Sequence, residues 1–286
     1  MSGYRSALVA LTLLSGGAFM QAQPAHAAAA TSAPVELELM TWQELKAALA
    51  AGKTTALFYT GGTEQRGPQN TMAGHNMMAR PIVKTIAEKL GNAIAMPVLP
   101  FSPTGMSPDV PGSLDLPAEL LGSVLEQLTE DAIVNGFKTV ILMGDSGGGQ
   151  GPTGVYAAVA KKLDDKHKAN GVRVFYANES YTKANSEFSD ILVKEGYPQG
   201  AHAGILDTSL MLYLDTENKY VRRDQLPNSL GDPVRPRGQK PDPDYKSLQN
   251  GITGDARRST AEIGKRFFDY KVDVAVKQIK ALQASR

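Results

Sequence analysis

Apolar positions along this chain switch repeatedly between a helical and a strand-like spacing. Thr41-Trp42-Gln43-Glu44 has the form of a capping box and opens a helix-forming run to Ala51, where Gly52 stops it. Thr54 to Thr60 (TTALFYT) is a short apolar run of buried-strand length. A glycine-containing loop follows, then a predicted helix from about His75 to Leu90 and a second strand over Ala93–Val98. Pro117 opens a helix whose Leu120, Leu121, Val124, Leu125 and Leu128 share one face, and Gly136 ends it. Lys138–Met143 (KTVILM) is a third strand. The glycine-rich turn Gly144–Gly151, a helix to about His167 and a fourth strand over Val172–Ala177 come next. Glu179–Glu195 reads as mostly helical, Pro227–Asp244 as a charged, proline-rich surface excursion, and the tail from Ala256 as one long helix.

Strand, helix, strand with short connections is the pattern of a parallel sheet covered on both faces. The fold class is therefore α/β: a single three-layer domain over residues 41–286, its sheet mostly parallel with helices on both faces. In such folds functional groups gather at the carboxyl ends of strands. That singles out the loops after Thr60 and after Met143.

The N-terminal residues lie outside this pattern. Arg5 precedes an apolar run from Ala7 to Met20 that is short and interrupted by Gly16 and Gly17. Ala25-His26-Ala27 then has the small-x-small form of a signal peptidase site. Residues 1–27 are expected to be a signal peptide cleaved near Ala27, with 28–40 as a mature N-terminal extension. The expected location is the periplasm or outside the cell, with no membrane attachment after cleavage. The formal charge is +1, and losing Arg5 makes the mature chain neutral. Such a balance argues against nucleic acid as a partner. With no cysteine there is neither a disulfide framework nor a thiolate nucleophile. Four histidines are present, and His26 leaves with the signal.

Three loops carry groups capable of chemistry. The first runs from Gly61 through Glu64 and Arg66 to His75; Glu64 follows a strand and His75 starts a helix, and both also suit a solvated loop acid and a helix cap. The second, Gly144-Asp145-Ser146-Gly147-Gly148, joins strand to helix. It fits the nucleophile elbow of α/β hydrolases, although the last histidine, His202, comes unusually early for that fold; it also fits a close-packed glycine turn or an Asp145 metal ligand. The third, Ala201-His202-Ala203-Gly204, sets a histidine among small residues, where an accessible ring could move protons, with Asp207 five residues on. A loop histidine without a task fits that stretch as well. His167, between two lysines at a helix end, reads as a surface residue.

Taken in order, these pieces resemble the creatininase (creatinine amidohydrolase) family. Gly62-Thr63-Glu64-Gln65-Arg66-Gly67-Pro68 stands for the family's G-S-x-E-Q-H-G-P-H, and Val110-Pro111-Gly112-Ser113 for F-P-G-T. Met143-Gly144-Asp145-Ser146-Gly147-Gly148 stands for N-G-H-G-G-N, and His202-Ala203-Gly204 through Asp207-Thr208-Ser209 for H-A-G-x-x-E-T-S. Gly251-Ile252-Thr253-Gly254-Asp255 and Glu262-x-Gly264 fit the closing motifs. The resemblance implies a metal-dependent hydrolase of carbon–nitrogen bonds in small amides or cyclic amides, forming a homo-oligomer.

Carried over position by position, the family's paired Zn/Mn site falls on Glu64, Arg66, His75 and Asp145. Arg66 cannot bind a metal, having no lone pair to offer. His75 and Asp145 exchange the family's residue types reciprocally. The resemblance thus implies one Zn or Mn per chain on Glu64, His75 and Asp145. It implies His202 as proton shuttle, Asp207 orienting it or touching substrate, and Arg66 with Ser146, Gly147 and Gly148 in substrate binding. Two alternatives stay open: a binding relative whose metals are gone, with Arg66 paired to Glu64 and Asp145, and a hydrolase using Ser146 as nucleophile.

Overall fold

The computed structural model describes residues 34–105, 109–235, 239 and 242–285. The expected signal peptide, residues 1–27, lies outside the described residues. Seven α-helices and four strands are present among them: α1 (Trp42–Ala50), β1 (Thr55–Thr60), α2 (Gly74–Leu90), β2 (Ala93–Ala95), α3 (Ala118–Val134), β3 (Thr139–Gly144), α4 (Val155–His167), β4 (Arg173–Tyr176), α5 (Thr182–Lys194), α6 (Ile205–Leu214) and α7 (Ala261–Ala284).

The four strands form one parallel sheet in the order β2-β1-β3-β4. Both central strands are buried along their whole length, as their unbroken apolar runs require. Leu57, Tyr59, Ile141 and Met143 face one layer, made by α2, α5, α6 and α7. Ala56, Phe58, Val140 and Leu142 face the other, to which α3 and α4 contribute their buried leucines and tyrosine and α1 its half-buried Leu45 and Leu49. This is the three-layer arrangement the sequence pattern predicts.

Local chemistry explains most boundaries. In α1 the Thr41 hydroxyl accepts from the Glu44 N–H while the Glu44 carboxylate accepts from the Thr41 N–H. Gly91 ends α2 in the left-handed conformation, φ 78°. β2 is shorter than expected: regular pairing stops at Ala95, two residues before Pro97, which has no N–H to donate. α7 begins later than expected, at Ala261, where the Thr260 side chain accepts from the Ile263 N–H. The sequence pattern misses α6, because seven of its ten residues are buried and no polar face marks the helical period.

The connections fix where a ligand can sit. After β1 the chain turns into α2 on one face, and after β3 it turns into α4 on the other. β1 and β3 are neighbours, with Thr60 paired to Gly144. Their carboxyl ends therefore splay two loops apart and open a crevice, the switch point of an open α/β sheet.

Candidate active site at the switch point

The loop after β1 delivers Glu64, Gln65 and Arg66 to this crevice, and the first turn of α2 delivers His75. The end of β3 delivers Asp145, whose N–H donates to the Thr60 carbonyl at 2.9 Å. Arg66 is 1 % exposed and lies against the start of α2. A Cβ on Gly74 would stand 2.7 Å from Arg66 Cδ and Nε, so the arginine stem has its place only because residue 74 has no side chain.

Charged groups run through the site in one continuous file. Arg66 Nη2 is 2.6 Å from Asp207 Oδ2, an ion pair misaligned for a hydrogen bond. Arg66 Nη1 donates to Glu64 Oε1 at 3.1 Å and stands 2.6 Å from His75 Nε2. His75 Nε2 is 2.7 Å from the same Glu64 oxygen, while its Nδ1 lies 2.9 Å from Asp145 Oδ2. The other Asp145 oxygen is 2.9 Å from Lys271 Nζ and accepts from the Tyr59 hydroxyl at 3.1 Å. Thr104 donates to Glu64 Oε2 at 2.7 Å.

This pairing sets the proton affinities. Burial favours the neutral acid for both carboxylates, yet His75 with Arg66 holds Glu64 well below the usual range. Lys271 with His75 does the same for Asp145. For His75, burial and Arg66 oppose the charged ring, but hydrogen bonds to Asp145 and Glu64 outweigh them and its pKa is raised. His202 is shifted the other way, downward, by burial first and by Arg66 second. It is neutral at pH 7.

His202 lines a cleft of about 750 Å³ together with Glu64, His75, Ser146, Gly147, Gly148, Tyr181 and Asp207. Its Nε2 is 2.9 Å from the Gln65 carbonyl oxygen, an atom that can only accept. The Gln65 side-chain nitrogen is 3.3 Å from the same Nε2, so the shorter carbonyl contact favours a proton on Nε2, which leaves the Nδ1 lone pair 3.4 Å from Glu64 Oε1. The next residue, Ala203, has φ 53°, a left-handed conformation rare for a residue with a Cβ. Its N–H donates to Asp207 Oδ2, and its carbonyl accepts from Gln69 and Thr208. Three bonds thus hold a strained turn that aims His202 into the cleft. Tyr181 is half-buried in the cleft wall, and burial followed by the nearby carboxylates pushes its pKa up, so the phenol keeps its proton. Its hydroxyl would lie 2.8 Å from a Cβ on Gly147, a space only glycine leaves open.

All the expected site residues converge here, but several have other partners than the sequence suggests. Arg66 does not line the cleft; it is buried against Glu64, His75 and Asp207, so it is not a substrate clamp. Asp207 turns to Arg66 and the Ala203 N–H rather than orienting His202. Of the expected Arg66 pairs, Glu64 is present, but Asp145 pairs with Lys271 instead. Ser146 lines the cleft, yet both nitrogens of the neighbouring His75 are taken by carboxylates, so that ring cannot serve the hydroxyl as its base.

The expected single-metal set does not fit a metal in this arrangement. Glu64 and Asp145 bind opposite nitrogens of the His75 ring, whose lone pairs diverge, so the three cannot converge on one ion. Arg66 Nη1 already stands against both Glu64 Oε1 and His75 Nε2, on the side from which an ion would bridge them. No group of three or more His, Cys, Asp or Glu among the described residues has the spacing to hold a metal. Sequence reasoning also missed Lys271 and Tyr181. Lys271 sits within an ordinary amphipathic stretch of α7, and its only signal is that its neighbours Phe267, Phe268 and Val272 put it on the buried face.

Comparison with known proteins bears on what this arrangement belongs to. A sequence profile described as Creatininase: Creatinine amidohydrolase matches residues 38–279. A creatinine amidohydrolase from Pseudomonas putida is 25% identical over 187 residues, 61% of this chain and 70% of that protein. A solved manganese creatininase superposes with a TM-score of 0.66 at 20% identity, covering 87% of this chain and 98% of that one. A glutamate-to-glutamine variant creatininase of the Zn–Zn type gives a TM-score of 0.68 at 20% identity, with the same coverage.

Proposed function

Since this chain belongs to the creatininase family, whose amidohydrolases act on non-peptide C–N bonds with bound metal, we propose that it hydrolyses an amide or cyclic amide bond in a small polar molecule. The observation that carries the reading is His202: a neutral imidazole with an open Nδ1, aimed into the cleft beside Glu64 by a strained turn.

The substrate carbonyl would lie between His202 and Tyr181. His202 Nδ1 takes a proton from a water as the water oxygen attacks the carbonyl carbon. The resulting imidazolium faces the Glu64 carboxylate, which stabilises it. Tyr181, still protonated, donates to the developing oxyanion. The C–N bond then breaks as His202 returns its proton to the departing nitrogen. Each step uses a side chain of this protein, and none passes through a metal, because the residues present do not fit one.

The cleft also suits one kind of substrate. Asp115 and Asp190 join Glu64 and Asp207 in its wall, and no lysine or arginine lines it among the described residues. Neutral or cationic molecules fit this wall, and carboxylate substrates do not. The same reading keeps the expectation of an exported protein, supported by the Ala25-His26-Ala27 pattern, and of a homo-oligomer, supported by family membership.

The test is turnover of a panel of small lactams, cyclic ureides and amidines, followed by proton NMR of the product. His202→Gln should lower kcat by at least about 100-fold with KM little changed. A loss below about threefold would remove His202 from the mechanism. Ligand binding without turnover would instead favour a binding protein, a reading to which the fully engaged Glu64 carboxylate lends support.

A further inference from the structure

The family's amidohydrolases are metal enzymes, yet the groups that stand against the expected ligands here are cationic side chains. Arg66 occupies a position at which the resemblance expects a ligand, and its side chain is 0% exposed. Lys271 reaches in from the middle of α7 with a side chain 3% exposed, and neither residue lines the cleft. Lysine and arginine are almost never fully buried unless paired. Here their partners are the carboxylates expected at the centre: Glu64 and Asp207 for Arg66, Asp145 for Lys271.

The space around each cation is shaped for it. Gly74 leaves room for the Arg66 stem. Lys271 Nζ is 5.2 Å from the Phe267 ring centre and 5.7 Å from that of Tyr181, so aromatic faces complete its surroundings. A divalent ion at Glu64 and His75 would have to take the nitrogen that Arg66 Nη1 already approaches at 2.6 Å, cation against cation.

We propose that Arg66 and Lys271 permanently replace the metal pair of the family, so that this protein holds its site together, and turns over, without divalent metal. The part concerning turnover rests on the hydrolase reading above; the part concerning the site does not. Lys271 then does more than balance charge: it fixes Asp145, which fixes His75, which fixes Glu64 opposite His202.

The test is metal content and thermal unfolding of the full purified chain, expressed in medium supplemented with Zn²⁺ and Mn²⁺ and never exposed to chelator. The wild type should carry less than about a tenth of an equivalent of either metal. Its unfolding midpoint should move by less than about 1 °C with excess Zn²⁺, Mn²⁺ or a chelator. Arg66→His, which removes one cation and supplies one ligand, should gain Zn²⁺ binding. Near-stoichiometric metal in the wild type, or a midpoint raised several degrees by metal, would overturn the proposal. If that variant does not fold, the wild-type measurements decide alone. Turnover that disappears on chelation would sink this inference and leave the hydrolase reading standing; metal-free protein with no turnover would do the reverse.

Discussion

Replacing Lys271 by methionine keeps the apolar stem, shorter by the terminal atom, and deletes its charge. The ammonium and the Asp145 carboxylate are 2.9 Å apart, with side chains 3% and 1% exposed, so water cannot take over for the lost partner. Removing one member of a buried pair typically costs about 3–5 kcal/mol, because the other charge stays buried and uncompensated. Here His75 Nδ1 and the Tyr59 hydroxyl still bind Asp145, which places the expected loss near the lower end. For a domain of this size about 3 kcal/mol corresponds to a fall in unfolding midpoint of roughly 6–12 °C. Urea unfolding followed by circular dichroism measures it directly. The double variant Lys271→Met/Asp145→Asn should be more stable than the sum of the two single losses predicts, since it removes both charges together. A Lys271→Met protein within about 1 kcal/mol of wild type, or strict additivity in the double variant, would refute the reasoning.

Three further outcomes are expected. Gly74→Ala should destabilise by about 1–3 kcal/mol, because the new methyl falls 2.7 Å from the boxed-in Arg66 stem; an unchanged midpoint in a thermal melt contradicts this. A fluorophosphonate should not label Ser146, since both nitrogens of the adjacent His75 are bound to carboxylates; labelling abolished by Ser146→Ala would revive the serine hydrolase. Stability should fall on acidification. Glu64 and Asp145 titrate far lower in the folded protein than in the unfolded chain, so their contribution is complete above about pH 4 and is lost as pH drops below it. His75, raised by folding, contributes fully below about pH 6.5 and loses that share as pH climbs through its folded value. An unfolding midpoint that stays flat from pH 6 to pH 3 would show that these groups do not carry the charge states assigned to them.

Much of the scaffold was legible because the sheet is parallel and buried. TTALFYT and KTVILM have no polar face to confuse, and each is bounded by a glycine or a lysine-threonine start. Pairing β1 with β3 then brings Glu64 and Asp145 together, as strand-end reasoning expects. The partner of each charge was not legible. Residue types at 66, 75 and 145 announce that the centre has changed, but whether Arg66 faces substrate or turns inward depends on Gly74 and on Asp207. Lys271 belongs to a helix whose other lysines and arginines are exposed; its spacing from Phe267, Phe268 and Val272 puts it on the buried face, but not beside Asp145. α6 escaped for the opposite reason, since a helix buried nearly all round offers no periodic contrast.

The place of α7 in the chain has a consequence for synthesis. Its Gln283 side chain donates to the Thr55 hydroxyl at the start of β1, 228 positions earlier, and its Lys271 supplies the counter-ion of Asp145. A growing polypeptide can assemble the four strands and the six preceding helices before that lysine leaves the ribosome. Until then Asp145 has a carboxylate oxygen with no cation to meet it, and the layer containing α2 and α6 lacks Ile263, Phe267, Phe268, Val272 and Ile279. The centre closes when the final helix docks, so a product that stops short of Lys271 is recognisably unfinished to any protease that samples exposed, unpaired interior.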